Sequence, residues 1–248
     1  MEEKQDFVAK RLPALFSDQD FWADANKDLA REWGPGDKPT IKLVMELTPE
    51  IEQDVFELGV SRYPGNVIDA ATCVDAPDSG KNLLGRVQDY AGKAISMVYT
   101  IYSKELQRDK IIAIAFGTDL LTQKYWHIDP KLTYLNQCRY AIVTALYTSY
   151  DWPNILQGEI AYSGGWSTLP QYQNRKVMSS LVDALFKACH RIGYSKMVLD
   201  SPRLFVANWI KSRYQAELLK TINIKTFQYK GAFPYPDAPK DDCMRILE

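Results

Sequence analysis

Residues 155–200 constrain the fold more than any other stretch. Met178, Val182, Leu185, Cys189 and Ile192 recur at spacings of 4, 3, 4 and 3, which lays one apolar stripe along a helix. Gly193 sits where a left-handed C-cap belongs. Residues 155–163 (ILQGEIAYS) and 166–169 before the helix read as a strand that Pro170 ends, and residues 196–200 (KMVLD) after it read as another. Strand, helix and strand in this order make a parallel pair joined by a right-handed crossover. The strands around 160–168 and 196–200 are therefore expected to be sheet neighbours, with a helix over about 176–192 between them. Gly164-Gly165 points to a bulge or a close backbone approach.

The rest of the chain alternates in the same way. Residues 1–36 read as an N-terminal helical extension, with Ser17 as a cap and Asp20 three residues on; Gly34-Pro35-Gly36 breaks it. The main domain is expected over 37–248. Residues 40–47 (TIKLVMEL) read as a strand, and Thr48-Pro49-Glu50 opens a helix with a hydroxyl cap, a first-turn proline and an acid at its positive end. Residues 75–80 (DAPDSG) read as turn-rich. The Ser79-Gly80-Lys81 that follows lacks the upstream glycine of a phosphate loop. Residues 94–103 and 110–121 form an expected antiparallel hairpin, and 132–147 carry helical spacing. Ser201 as cap and Pro202 at the first position open a further helix. Residues 222–229 and 243–247 read as closing strands. This order implies a mixed sheet in one α/β domain.

Composition removes several classes. Lys and Arg number 30 against 31 Asp and Glu, a net charge of −1, without the basic excess of a nucleic-acid binder. Four cysteines without a C-x-x-C, and two histidines, make a structural zinc site improbable; no metal is expected. The cysteines read as buried free thiols of a reducing compartment. No apolar run reaches a membrane span and the first residues lack a signal-peptide pattern, so a cytoplasmic protein is expected. Oligomeric state is not legible.

Residues 166–185 read WSTLPQYQNRKVMSSLVDAL. This resembles the acyl-coenzyme A site of the GNAT superfamily of N-acetyltransferases, where a strand ending in apolar-x-Pro leads to Q/R-x-x-G-x-G/A at a helix start. Gln173-Asn174-Arg175-Lys176-Val177-Met178 aligns with that motif, followed by Ser179. Lys176 and Met178 occupy the two glycine positions, a departure from the family pattern. The resemblance implies a mixed, largely antiparallel sheet flanked by helices. It also implies a donor pyrophosphate held at the helix start, where amides lack partners and the helix dipole is positive. Trp166, Ser167 and Thr168 would lie on the strand that opens to pair with pantetheine, and Asn208 near it.

The implied reaction is attack of an amine on an acyl-coenzyme A thioester, which needs a base for the ammonium and an acid for the leaving thiolate. Glu159, on the strand before the motif, is the candidate base. Tyr214, on the helix after the second strand, is the candidate acid, although the Gly-Phe that usually follows such a tyrosine is absent. His127 is a further acceptor-side candidate, and His190 reads as structural. The acceptor is a small-molecule or peptide amine. Two alternatives remain open: an N-acyltransferase taking a longer chain, with acyl carrier protein as a donor, and a non-catalytic ligand- or partner-binding protein.

Overall fold

Asp18, Thr48 and Asp75 each begin a helix by the same device, a side-chain oxygen accepting an amide three residues on. Phe21 N donates to Asp18 at 2.9 Å, Ile51 N to Thr48 at 3.4 Å and Asp78 N to Asp75 at 2.7 Å. The computed structural model describes residues 6–29, 33, 38–62, 75–122, 128, 130–131, 134–152 and 154–248. Its helices are α1 (Asp6–Ser17), α2 (Gln19–Asn26), α3 (Pro49–Ser61), α4 (Ala76–Tyr90), α5 (Tyr134–Thr148), α6 (Val177–Arg191) and α7 (Leu204–Tyr214). Its strands are β1 (Thr40–Leu43), β2 (Ile95–Ser103), β3 (Arg108–Asp119), β4 (Ile160–Thr168), β5 (Lys196–Ser201), β6 (Leu218–Asn223) and β7 (Cys243–Leu247).

The strands form one sheet in the order β1-β2-β3-β4-β5-β7-β6. β4 and β5 are parallel and α6 connects them; every other neighbouring pair is antiparallel. The parallel neighbours and the hairpin expected over 94–103 and 110–121 are both present, the hairpin as Ile95–Ser103 with Arg108–Asp119.

Successive strand residues face opposite sides. α5 packs through Cys138, Ile142, Leu146 and Tyr147 on the side of Tyr162 and Val198. α6 packs through Leu181, Leu185 and Ala188 on the side of Ala161, and α7 through Ala207 and Ile210 on Leu199. α4 lies on the Tyr162 side, where Tyr90 meets the Phe116 ring edge-on at 5.7 Å. Val8, Leu12 and Leu15 of α1 enter the main core, so the N-terminal helices are packed on the sheet. Deleting a fully buried side chain such as Leu12 is worth about 2–5 kcal/mol.

Several boundaries differ from the sequence reading. Asp18, not Ser17, caps α2; the Ser17 hydroxyl donates back to the Pro13 carbonyl at 3.0 Å. Residues 75–80 are not a turn but the capped first turns of α4. Gly80 serves close packing, since a methyl group there would sit 2.7 Å from the Phe56 ring of α3. β1 ends at Leu43 rather than residue 47 and β4 begins only at Ile160, after a turn. Ser201 is the last residue of β5, not a helix cap; its hydroxyl accepts Arg203 N at 3.2 Å, and α7 starts at Leu204. The penultimate strand is Leu218–Asn223 rather than 222–229, because the Asn223 side chain accepts Thr226 N at 3.0 Å and turns the chain. Cys138, Cys189 and Cys243 are free thiols; Cys73 lies outside the described residues.

Candidate active site

The parallel pairing of β4 and β5 is short. It runs from Ile160 opposite Lys196 to Ser163 opposite Leu199 and stops. Beyond it, β5 turns to β7 through Asp200 and Ser201, while β4 stays with β3. Between Ser167 opposite Ile114 and Gly164 opposite Phe116, β4 carries one more residue than β3. That is a bulge, and Gly165 takes it with φ +72°, a conformation that favours glycine. The edge of 164–168 facing β5 has no strand partner among the described residues. Along it Ser167, 5% exposed, has a hydroxyl with no hydrogen-bond partner, as does the buried hydroxyl of Thr168. Trp166 Nε1 donates to Ser163 Oγ at 2.9 Å, which turns its indole toward Trp209 of α7, 6.5 Å between ring centres.

A 3-10 turn over Pro170–Tyr172 and the residues up to 176 lead from β4 into the start of α6. Asn174 (φ +63°) and Lys176 (φ +55°) are both left-handed, and the chain so bent presents the amides of Val177, Met178 and Ser179 ahead of the helix. Ser180 is the first residue to bond back, to the Lys176 carbonyl at 2.9 Å. The three amides before it make no hydrogen bond among the described residues. With the exposed Arg175 and Lys176 beside them, this is an anion-binding geometry. Arg175 is drawn toward the Trp33 ring, 5.7 Å from its centre.

On the opposite side of the opening stands a polar cluster. Asp200, half-buried at the end of β5, accepts hydrogen bonds from Tyr162 Oη at 2.5 Å and Tyr147 Oη at 3.5 Å. Burial pushes its carboxyl above the ordinary aspartate value, opposed by these bonds and by the charges of Arg86 and Arg139. Burial and the neighbouring Asp200 push both phenols well above theirs, so each remains a donor. Tyr162 leans over Gly164, and a methyl group on Gly165 would lie 2.6 Å from Arg86 Nη1. The cluster therefore meets the bulge.

No protein-family model matches the chain, and no curated protein matches its sequence. Solved structures match its shape. The C-terminal condensation domain of Ebony in complex with beta-alanyl-dopamine has a TM-score of 0.66 at 16% identity, over 85% of this chain and 97% of that one. A mosquito arylalkylamine N-acetyltransferase, like 5b, has 0.64 at 12%, over 84% and 98%. The Drosophila melanogaster polyamine N-acetyltransferase, which forms N-acetylagmatine, has 0.62 at 14%, over 84% and 98%. The chain has the GNAT fold.

Within the GNAT fold the predicted donor residues lie on two consecutive segments and on α7. Trp166, Ser167 and Thr168 line the parted strand, and Gln173 through Ser179 form the loop and first turn of α6. Lys176 takes a left-handed backbone of the kind that favours glycine. Met178 does not: it is an ordinary, half-buried residue of α6 packed on the core. Asn208 is exposed on α7.

The predicted catalytic residues do not converge with them. Glu159 lies exposed on the turn before β4, its carboxylate accepting Leu156 N at 2.7 Å. It is five residues, or about 16 Å of strand, before Gly164. Tyr214 ends α7, where its hydroxyl donates to Asp183 of α6 and accepts from Arg213 Nε at 3.3 Å. His127 lies outside the described residues, and His190 is exposed near the end of α6. Sequence reasoning missed Asp200, Tyr162, Tyr147, Arg86 and Arg139, which come from four separate elements. One signal was present: KMVLD is an apolar strand that ends in a carboxylate.

Proposed function

We propose that this protein is an N-acyltransferase that moves an acyl group from an acyl-coenzyme A thioester to an amine acceptor. The observation that carries the reading is the parting of β4 from β5 beside the unbonded amides at the start of α6, with Asp200 at the mouth of the gap. The orphaned Ser167 hydroxyl and the free strand edge suit the amide groups of a pantetheine arm. The amides of 177–179 with Arg175 and Lys176 suit a pyrophosphate. The donor supplies an activated carbonyl; the chain holds it, aligns the amine and takes the amine's proton.

Asp200 is the proton acceptor in this scheme. As the amine nitrogen bonds the thioester carbonyl carbon, the carbon–sulfur bond breaks and coenzyme A leaves as its thiolate, which takes a proton from water; the nitrogen gives up its proton to the Tyr162 oxygen, and Tyr162 passes its own proton to the Asp200 carboxylate. Tyr162 ends as it began and Asp200 ends neutral, which burial favours. Tyr147 holds the carboxylate in place. The arylalkylamine N-acetyltransferase and the polyamine N-acetyltransferase of this fold act on amines, which supports an amine acceptor in general.

A longer acyl chain delivered on acyl carrier protein is the second reading. Leu204 and Phe205 stand 57% and 66% exposed at the start of α7, at the same end of the sheet as Arg175 and Lys176, with Arg203 beside them. An apolar patch with Arg203 over the Phe205 ring suits an acidic carrier.

Calorimetry with coenzyme A and acetyl-coenzyme A, paired with thiol release on a panel of amines, tests the proposal. Saturable binding with amine-dependent thiol release is expected. Absence of binding to coenzyme A and to acyl carrier protein alike would leave a non-catalytic ligand-binding protein.

A further inference from the structure

Arg175 differs from the other cations around α6. Lys187 and Arg191, in the second half of that helix, are paired with Asp24 and Asp18 of the N-terminal helices at 2.6 and 2.8 Å, and Arg213 of α7 is paired with Asp183. Arg175 has no carboxylate partner among the described residues. Its guanidinium lies over the ring of Trp33 instead, 5.7 Å from its centre.

Trp33 precedes β1 in the chain and is fixed by contacts of its own. Its Nε1 donates to the Tyr99 hydroxyl at 2.9 Å, and its ring meets those of Tyr99 and Tyr172, 6.1 and 5.7 Å between centres. Tyr99 is buried on β2, level with Ala113 of β3 and with Thr168, the last residue of β4. Tyr172 belongs to the 3-10 turn between β4 and α6. The indole is thus anchored to the sheet at the end where α6 begins, and Arg175 is laid over it one residue before Lys176.

A neutral ring holds a guanidinium without cancelling its charge. A carboxylate would fix Arg175 as well but would leave no net charge for a ligand. The indole face orients the planar fork and keeps a full positive charge beside the amides of Val177, Met178 and Ser179. An arginine already stacked also loses less rotamer freedom when it takes a phosphate. Building on the acyltransferase reading, we infer that Trp33 is a positioning residue of the donor site: it holds the Arg175 guanidinium at the start of α6, where the fork takes the phosphates of coenzyme A. Its effect runs through Arg175, so it acts on phosphate-bearing ligands alone.

Coenzyme A and pantetheine, which carries the same thiol arm without phosphates, test this when titrated calorimetrically into the full chain. Trp33→Leu should weaken coenzyme A about two- to fivefold and shrink the preference for coenzyme A over pantetheine by the same factor. Arg175→Gln, at an exposed position, should weaken coenzyme A about tenfold, and Trp33→Leu added to it should cost nothing further. Trp33→Phe keeps a ring beneath the guanidinium and should recover part of the affinity. If Trp33→Leu fails to fold, the phenylalanine variant combined with Arg175→Gln reads the same coupling. Equal weakening of coenzyme A and pantetheine, or losses that add in the double variant, overturn the inference and leave Trp33 as packing. Inorganic pyrophosphate titrated alone separates this inference from the reading it rests on. Coupled losses for pyrophosphate without amine-dependent thiol release keep Trp33 as the support of an anion site and remove the acyltransferase, whereas acyl transfer with additive losses does the reverse.

Discussion

The phenol of Tyr162 donates a 2.5 Å hydrogen bond to Asp200 across the parallel pair, at the point where the two strands part. Tyr162 faces its carboxylate partner because both project to the same side of the sheet, the side that α4 and α5 cover. Main-chain pairing ends one residue before Asp200. The backbone edge that the fold leaves open and the carboxylate it leaves half-buried are thus made by the same divergence.

Asp200→Asn should therefore lower turnover by about 100-fold or more. The sign on stability is the opposite. A carboxyl whose folded value is raised contributes stability below its unfolded value and loses it as pH rises through the folded value. Near neutral pH the charged form is the one penalised, so the asparagine variant should melt at or above the wild-type temperature. The acid limb of kcat/KM should lie above the ordinary aspartate value of 3.8 and be missing from residual Asp200→Asn activity. Steady-state kinetics across pH with calorimetric melting reads both; unchanged turnover would return Asp200 to a packing role.

Glu159→Gln provides the contrast. Its carboxylate caps a local turn at the far end of β4, so turnover should stay within about twofold of wild type, as for an ordinary surface change. A 100-fold loss with intact folding would place the base at Glu159 and remove it from Asp200.

Asp54→Ala should be a pure stability lesion. Asp54 is 2% exposed, holds Arg108 through both oxygens at 2.8 Å and accepts Ile111 N at 2.9 Å. It ties α3 to the start of β3. Removing one partner leaves a part-buried guanidinium and a buried amide without their acceptor, at about 3–5 kcal/mol. Denaturant titration should show that loss with coenzyme A affinity unaltered.

The β4–α6–β5 unit was legible because its signals are local: a stripe at helical spacing, two apolar runs and a glycine pair that proves to be a bulge. α4 was not, because Asp, Pro, Ser and Gly serve both turns and helix N-termini. Gly80 is there for the Phe56 ring, a contact that no spacing encodes. The donor loop was legible as a position, while the left-handed backbone of Lys176 was not. Asp200 draws its chemistry from Tyr162, Tyr147, Arg86 and Arg139, spread over more than a hundred residues, and no short pattern announces such a cluster. Glu159 is the one carboxylate that the sequence places just ahead of the motif, and five residues of extended strand carry it away from the bulge.

Lys176 is where the departure from the family motif can be measured. Its φ of +55° is one that a β-carbon opposes, by about 1–2 kcal/mol per residue. Lys176→Gly removes that strain but loosens the unfolded chain by about 0.5–1 kcal/mol, so stability should change little. The glycine also clears the approach to the amides of Val177, Met178 and Ser179, and coenzyme A should bind at least as tightly despite the lost charge. Met178→Gly should differ, because Met178 is a packed helical residue. It forfeits about 1 kcal/mol of helix propensity as well as its core contacts, and nothing gained at the loop offsets that. Charge tests the same amides from the other side. Arg175→Glu with Lys176→Glu sets two carboxylates beside the phosphates, and affinity should fall about tenfold or more. Calorimetry on the three variants decides. If coenzyme A affinity is the same in all of them and in wild type, the start of α6 is not where the donor binds.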